Sequence, residues 1–268
     1  SAMLLSGGIT LAVGQALVML PVKNNKMQAR DGFAAVALCW IVLSMCGALP
    51  YVFSGVLPNY ADAFFETVSG FTTTGATVFT FIEGQPDAIL FWRAQTQWMG
   101  GMGVLVLALA LVPKLGEGSV YLMRAESPGP IKSKLTPRVG DTAKILYSIY
   151  IGLTVAEALC LRLAGMPWFD SVIHAFTTIS TGGFSVKNAS IAAYGSIVIE
   201  WIIIIFMFLS GINFALLFYA LRRDYQAVFQ SEELRSYTLM TAAASGLIAM
   251  NLIVHAGQAA TFQTVTDS

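Results

Sequence analysis

The residues that could do chemistry in this sequence are two short polar runs, Thr72 to Thr77 (TTTGAT) and Ser180 to Ser185 (STGGFS). Glycine lets successive carbonyls turn toward one axis, and the hydroxyls can satisfy neighbouring groups. A ring of such carbonyls can replace the hydration shell of a potassium ion. A Thr- and Gly-rich turn between two ordinary helices, outside any membrane, is the plainer alternative and stays open at this point.

Other chemistries find less support. No Ser, His and Asp set converges, no metal-ligand spacing occurs, and the two histidines lie far apart at His174 and His255. Cys39, Cys46 and Cys160 sit in apolar runs, where a buried structural thiol is expected. Gly100, Gly101 and Gly103 lack the flanking strand and Lys-Ser/Thr pair of a phosphate loop; they read as close helix packing or flexibility beside a pore. Zero formal net charge gives no argument for nucleic acid as a partner.

Each polar run follows a short apolar segment, 63–72 or 171–180, that begins just after an aspartate, Asp62 or Asp170. A helix N-terminus favours a carboxylate there. Ten residues of helix reach only about 15 Å, half of a bilayer core of about 30 Å. A helix that ends inside a membrane must have its backbone groups satisfied by protein or by a water-filled cavity. Its partly negative C-terminus favours a cation at that point.

The pattern repeats. Arg30, Gly32 and Asp62 recur as Arg138, Gly140 and Asp170, each 108 positions later, and the same step carries Gly75 onto Gly183 and Gly103 onto Gly211. Arg235 and Asp267 keep the 32-residue interval that separates Arg30 from Asp62. A long span closes each repeat, over 88–113 and 194–221, so the unit is helix, re-entrant loop, helix.

Composition agrees with a membrane setting. Of 268 residues 56% are hydrophobic and 11% charged, and the uncharged stretches 32–61, 94–113 and 201–221 each reach the length of a span. Twelve of the 15 Lys and Arg cluster in three basic loops, 21–31, 114–144 and 222–235, which the positive-inside rule places in the cytoplasm. The expected fold is an all-α membrane protein of repeated pore units. Its divisions are a partial N-terminal helix and linker (1–29), a first unit (30–113), a cytoplasmic loop (114–137), a second unit (138–221), a second loop (222–234) and the first helix of a third unit (235–268).

Several further residues admit two readings. Glu66 and His174 occupy equivalent places in the two short helices, as a proton relay or as structural hydrogen bonding behind the filter. Asp62, Glu66, Glu83, Asp87 and Asp170 are candidates for attracting cations at the outer mouth. Glu157, Arg162 and Glu200 lie toward the outer ends of spans, where snorkelling or mutual pairing is expected. Asn213 lines an inner cavity or bonds to a neighbouring helix. The loop 114–141, with Pro128, Pro130 and Pro137, is a candidate contact for a cytosolic partner or for anionic lipid.

The segments 62–77 (DAFFETVSGFTTTGAT), 97–103 (QWMGGMG), 121–130 (YLMRAESPGP), 136–138 (TPR) and 174–185 (HAFTTISTGGFS) resemble the Trk, Ktr and HKT superfamily of cation transporters, closest to the TrkH type. That resemblance implies potassium uptake across the cytoplasmic (inner) membrane of a bacterium, with no cofactor, no catalytic residue and K+ as the transported ion. It implies four such units around one pore, with filter glycines Gly75 and Gly183 and ion-binding positions Thr73, Thr74, Ala76, Thr181, Gly182 and Phe184 about them. It also implies, beyond the lipid bilayer, a homodimer and a cytosolic nucleotide-binding regulatory subunit as partners. The chain is expected to be a fragment holding two complete units and the start of a third. Such a fragment alone is expected to conduct poorly. Sodium or sodium-coupled transport, a membrane enzyme using the Thr-rich loops, and a non-conducting fragment that needs a second half are the alternatives.

Overall fold

The computed structural model describes residues 2–19, 29–103 and 139–255. The basic residues Lys23 and Lys26, the loop 114–137 with its prolines, Arg138 and the segment ending at Asp267 lie outside the described residues. Those described form helices and one 3-10 turn, with no strand among them.

The helices α1 (Ala2–Val18), α2 (Ala29–Gly47), α3 (Leu49–Phe53), α4 (Tyr60–Phe71) and α5 (Asp87–Gly101) come first. The second series is α6 (Val139–Leu163), α7 (Trp168–Ile179), α8 (Ile197–Ser210), α9 (Phe214–Leu221), α10 (Tyr225–Phe229) and α11 (Glu232–His255). Both α4 and α7 are 12 residues long, and their bounds differ by the 108-residue step found in the sequence. Twelve residues span about 18 Å. These are the half-length helices that the sequence predicts.

Local chemistry sets their starts. Asn59 is extended and its side chain accepts the Ala61 N–H at 3.1 Å, which caps α4, and Asp62 falls in the first turn. Pro167, already at φ −53, leads into α7, and Asp170 lies in its first turn.

The two outer series are not identical. Where α6 runs unbroken, the matching stretch of the first unit divides at Gly47 to Leu49, with Pro50 in the first turn of α3. Proline lacks the N–H that a continuous helix requires. The closing spans show breaks, and residues 104–113 of the first lie outside the described residues. Helix α5 ends at Gly101, with Gly103 in the left-handed region at φ 71, and the second span breaks at Gly211 to Asn213 between α8 and α9. Gly103 and Gly211 are the pair related by the repeat.

Two clusters of buried side chains join the units. Ile82, Leu90 and Ala94 of the first pack with Ile173 and Val186 of the second, and Met102 packs with Leu146, Tyr150 and Ile179. Burying them from both sides fixes one short helix beside the other. Among the described residues one helical stretch, Lys144–Leu163, is both long and apolar enough to cross a bilayer. Large apolar side chains nonetheless face outward along α1, α6 and α11, among them Leu11 at 76%, Val155 at 53% and Leu239 at 71% exposure. Surfaces of this kind require lipid or further protein against them.

Candidate functional site

The ends of α4 and α7 are built alike. The Thr73 N–H donates to the Gly70 carbonyl and the Thr74 N–H to the Ser69 carbonyl, both at 2.9 Å. In the second unit Thr181 returns to Thr178 at 2.8 Å and Gly182 to Thr177 at 2.9 Å. This paired closure puts the residue after the C-cap in the left-handed region. Thr73 is there at φ 53 and Thr181 at φ 59, where glycine is the usual occupant. A β-branched residue in that region costs about 1–3 kcal/mol and is held by its surroundings.

Two residues on, Gly75 has φ 78 and Gly183 φ 77. The two loops therefore share one backbone form. Among the described residues, nothing donates a hydrogen bond to the carbonyls of Thr73, Thr74, Gly75, Thr181, Gly182 or Gly183. The Ala76 carbonyl differs, since it accepts the Ser69 hydroxyl at 2.6 Å.

Behind the loops the polar groups are paired. Glu66, fully buried, accepts the Thr77 hydroxyl at 2.9 Å and the Val78 N–H at 3.0 Å. His174 takes the same role in the second unit. Its Nδ1 donates to the Asp170 carbonyl at 2.8 Å, leaving Nε2 to accept the Ser185 hydroxyl at 3.1 Å. Of the two readings of this pair, the geometry is that of structural hydrogen bonding. Glu66 also leaves the set of outer cation-attracting carboxylates, because it is buried; Asp62 is half-buried and Glu83 and Asp87 are exposed.

Two residues that the sequence reading did not single out tie the loops together. Arg93 on α5 is 1% exposed; its Nε donates to Glu66 at 2.6 Å and its Nη1 to the Ser185 carbonyl of the other unit at 3.2 Å. Its guanidinium lies 3.9 Å from the centroid of the buried Phe184 ring, a cation–π contact that closes the second loop from behind. Gln97, one turn further on, accepts the Phe184 N–H at 3.1 Å and packs against Gly182. The signal for Arg93 was available: a carboxylate inside a short membrane helix needs a counter-charge.

The loops also touch directly. A Cβ on Gly75 would collide with the Gly182 carbonyl oxygen, whereas one on Gly183 would meet nothing within 4 Å. Beneath them, Gly100 and Gly101 abut the Phe71 carbonyl and Ser180, so these glycines serve close packing. Thr74, Ala76, Thr181 and Gly183 lie on the open side, and Gly182 and Phe184 are buried.

The remaining candidates separate. Asn213 donates to Glu233 on α11 at 3.2 Å, a bond to a neighbouring helix. Arg162 donates to the Met166 carbonyl at 3.4 Å. Glu157 does not snorkel: it is fully buried and has no hydrogen-bond partner among the described residues. Cys39 is exposed rather than buried, and Cys46 and Cys160 are half-buried.

The family model described as TrkH, cation transport protein, matches residues 1–262. The chain belongs to the TrkH family. It is 48% identical over 240 residues to the Trk system potassium uptake protein TrkH of Halomonas elongata, covering 88% of this chain and 50% of that protein. The TrkH protein of Escherichia coli strain K12 is 46% identical over 235 residues, covering 85% and 48%. The crystal structure of the potassium transporter TrkH from Vibrio parahaemolyticus superposes with a TM-score of 0.82 at 34% identity, over 99% of this chain and 55% of that one. The chain thus spans about half the length of these relatives. As a member of a cation transport family it is a membrane protein, all-α with repeated pore units.

Proposed function

We propose that the chain supplies two quarters of the selectivity filter of a potassium-uptake pore, one from each of the units 30–113 and 138–221. The observation that carries this is the run of carbonyls at Thr73, Thr74, Gly75, Thr181, Gly182 and Gly183. They stand on two loops of matching left-handed geometry and no described group claims them. Carbonyls so placed can exchange with the water of a weakly hydrated cation. The ends of α4 and α7 add partial negative charge. Ala76 and Phe184, the remaining positions of the ion-binding set, hold the loops in place through the Ser69 bond and the Arg93 and Gln97 contacts.

The setting follows the same reading: the cytoplasmic membrane of a bacterium, with the basic loops 21–31, 114–144 and 222–235 inside. The assembly is a homodimer served by a cytosolic nucleotide-binding subunit, for which the loop 114–141 is the candidate contact.

Uptake of rubidium by the assembled transporter, in bacteria lacking their own potassium uptake, tests the proposal. Wild type restores growth at low potassium, and Gly75→Asp abolishes uptake at equal membrane abundance. Unchanged uptake in that variant, or equal passage of sodium by the wild type, would refute it.

A further inference from the structure

The closing spans of both units break at the same kind of joint. At the end of α5 the Met102 N–H turns back to the Gly100 carbonyl, and after α8 the Ile212 N–H turns to the Leu209 carbonyl at 3.2 Å. A continuous helix would send those two donors to Trp98 and Phe208, four residues earlier. Both carbonyls are filled from another helix instead. The Tyr150 hydroxyl of α6 donates to the Trp98 carbonyl at 2.9 Å, and the Tyr237 hydroxyl of α11 donates to the Phe208 carbonyl at 3.3 Å. Each tyrosine also packs against the ring of the residue whose carbonyl it holds, with centroids 5.6 Å apart for Trp98 and 5.1 Å for Phe208.

The glycine three residues further on completes each joint. A Cβ on Gly101 would lie 2.6 Å from the Tyr150 hydroxyl, and one on Gly211 would collide with the Tyr237 hydroxyl. Tyr150 belongs to the first helix of the second unit and Tyr237 to that of the third, so each joint is gripped by the unit that follows it. The repeat does not place these tyrosines: Tyr150 stands 12 residues after Arg138, whereas Tyr237 stands two after Arg235. The contact recurs although the sequence position does not. At the second joint α11 holds both sides. Glu233, one turn before Tyr237, accepts the Asn213 side-chain amide at 3.2 Å, and the Asn213 carbonyl accepts the Leu216 N–H at 2.8 Å as α9 begins. Both joints adjoin the end of α7: Gly101 abuts Ser180, and the Ser210 hydroxyl donates to the Thr178 carbonyl at 3.3 Å.

We infer that Tyr150 and Tyr237 are positioning residues of the ion path: each locks the break in the preceding unit's closing span and so fixes the direction in which that span leaves the joint. A carbonyl that loses its donor in apolar surroundings is penalised until it finds another. Without the tyrosine hydroxyl the nearest donor is the backbone N–H four residues on, that of Met102 or Ile212, and taking it straightens the span. The two loops themselves are held from behind by Arg93, Gln97 and His174, so ion affinity is retained while passage past the joint slows. The statement about ion passage rests on the filter reading above; the latch itself does not.

The test reads the joint and the ion path separately. Val198 and Leu221 are exposed and lie near the outer ends of α8 and α9. Spin labels there, in a cysteine-free assembled transporter in lipid nanodiscs with labelled copies diluted by unlabelled ones, report the length of the span by double electron–electron resonance. A straight helix between these positions measures about 35 Å, and the broken span is shorter. Tyr237→Phe keeps the ring against Phe208 and removes only the hydroxyl, so its distance is expected to lengthen toward the straight-helix value. Gly211→Ala, which expels the tyrosine, is expected to lengthen it likewise. A wild-type distance in Tyr237→Phe would overturn the latch. This measurement needs no ion flow, so a failure of the filter reading leaves it intact. Rubidium uptake then reads the ion path: Tyr150→Phe and Tyr237→Phe lower the maximal rate severalfold at unchanged KM and equal membrane abundance. Wild-type kinetics in either variant, or a raised KM at an unchanged maximal rate, would overturn the positioning role.

Discussion

Arg93 and Glu66 form an ion pair at 2.6 Å with almost no solvent on either side chain, and the same guanidinium holds the Ser185 carbonyl of the other unit. One cation therefore sets both loops. Breaking a buried pair by removing one partner leaves an uncompensated charge, which costs about 3–5 kcal/mol.

Arg93→Ala is accordingly expected to lower thermal stability in detergent by about that amount. Lysine cannot span both acceptors with a planar fork, so Arg93→Lys rescues little. Replacing both partners by methionine restores most of the stability without restoring ion selectivity. Thermal unfolding and rubidium uptake on the same preparations separate the two effects.

Gly75 and Gly183 share a backbone angle but not a neighbourhood. Gly75→Ala suffers the left-handed strain, about 1–2 kcal/mol, and also displaces the Gly182 carbonyl; Gly183→Ala suffers the strain alone. Uptake is expected to fall much further in Gly75→Ala than in Gly183→Ala. Equal losses would mean that contact between the loops does not matter.

Gln97→Leu leaves the buried Phe184 N–H without its acceptor, at a cost of about 1–3 kcal/mol. The expected readout is poorer discrimination between potassium and sodium in competition uptake, because the second loop loses its rear support. Gln97→Glu keeps an acceptor oxygen and is expected to retain more discrimination.

A Cβ on Gly101 would lie 2.7 Å from Ser180 and 2.6 Å from the Tyr150 hydroxyl, whereas Gly152 on α6 has nothing within 4 Å. Gly101→Ala is expected to destabilise by about 1–3 kcal/mol through overpacking. Gly152→Ala is expected to stabilise by about 0.5–1 kcal/mol through helix propensity. Melting temperatures of the two variants should move in opposite directions.

Much of this architecture is legible in the sequence, because a repeat displays the same physics twice. The 108-residue step, the half-length helices and the paired Gly75 and Gly183 follow from spacing and from the bilayer's thickness. What the sequence hides is lateral contact. Arg93 stands at the edge of an apolar run, and its pairing shows only when Glu66 is seen beside it. Glu157 reads as a snorkelling carboxylate until its face of α6, shared with Tyr150 and Leu161, is known to turn inward. The break at Gly211 shows in the sequence only as the polar Ser210 and Asn213 within an apolar span, since hydrophobicity reports burial in lipid and not helix continuity.

The central claim is that the carbonyls of the two loops bind the transported ion. Thallium substitution in crystals of the assembled transporter tests it most directly. Anomalous density bounded by the carbonyl oxygens of Thr73, Thr74, Thr181 and Gly182, and displaced by potassium, is the predicted result. Thallium bound elsewhere in the pore, with those carbonyls facing no ion, would contradict it.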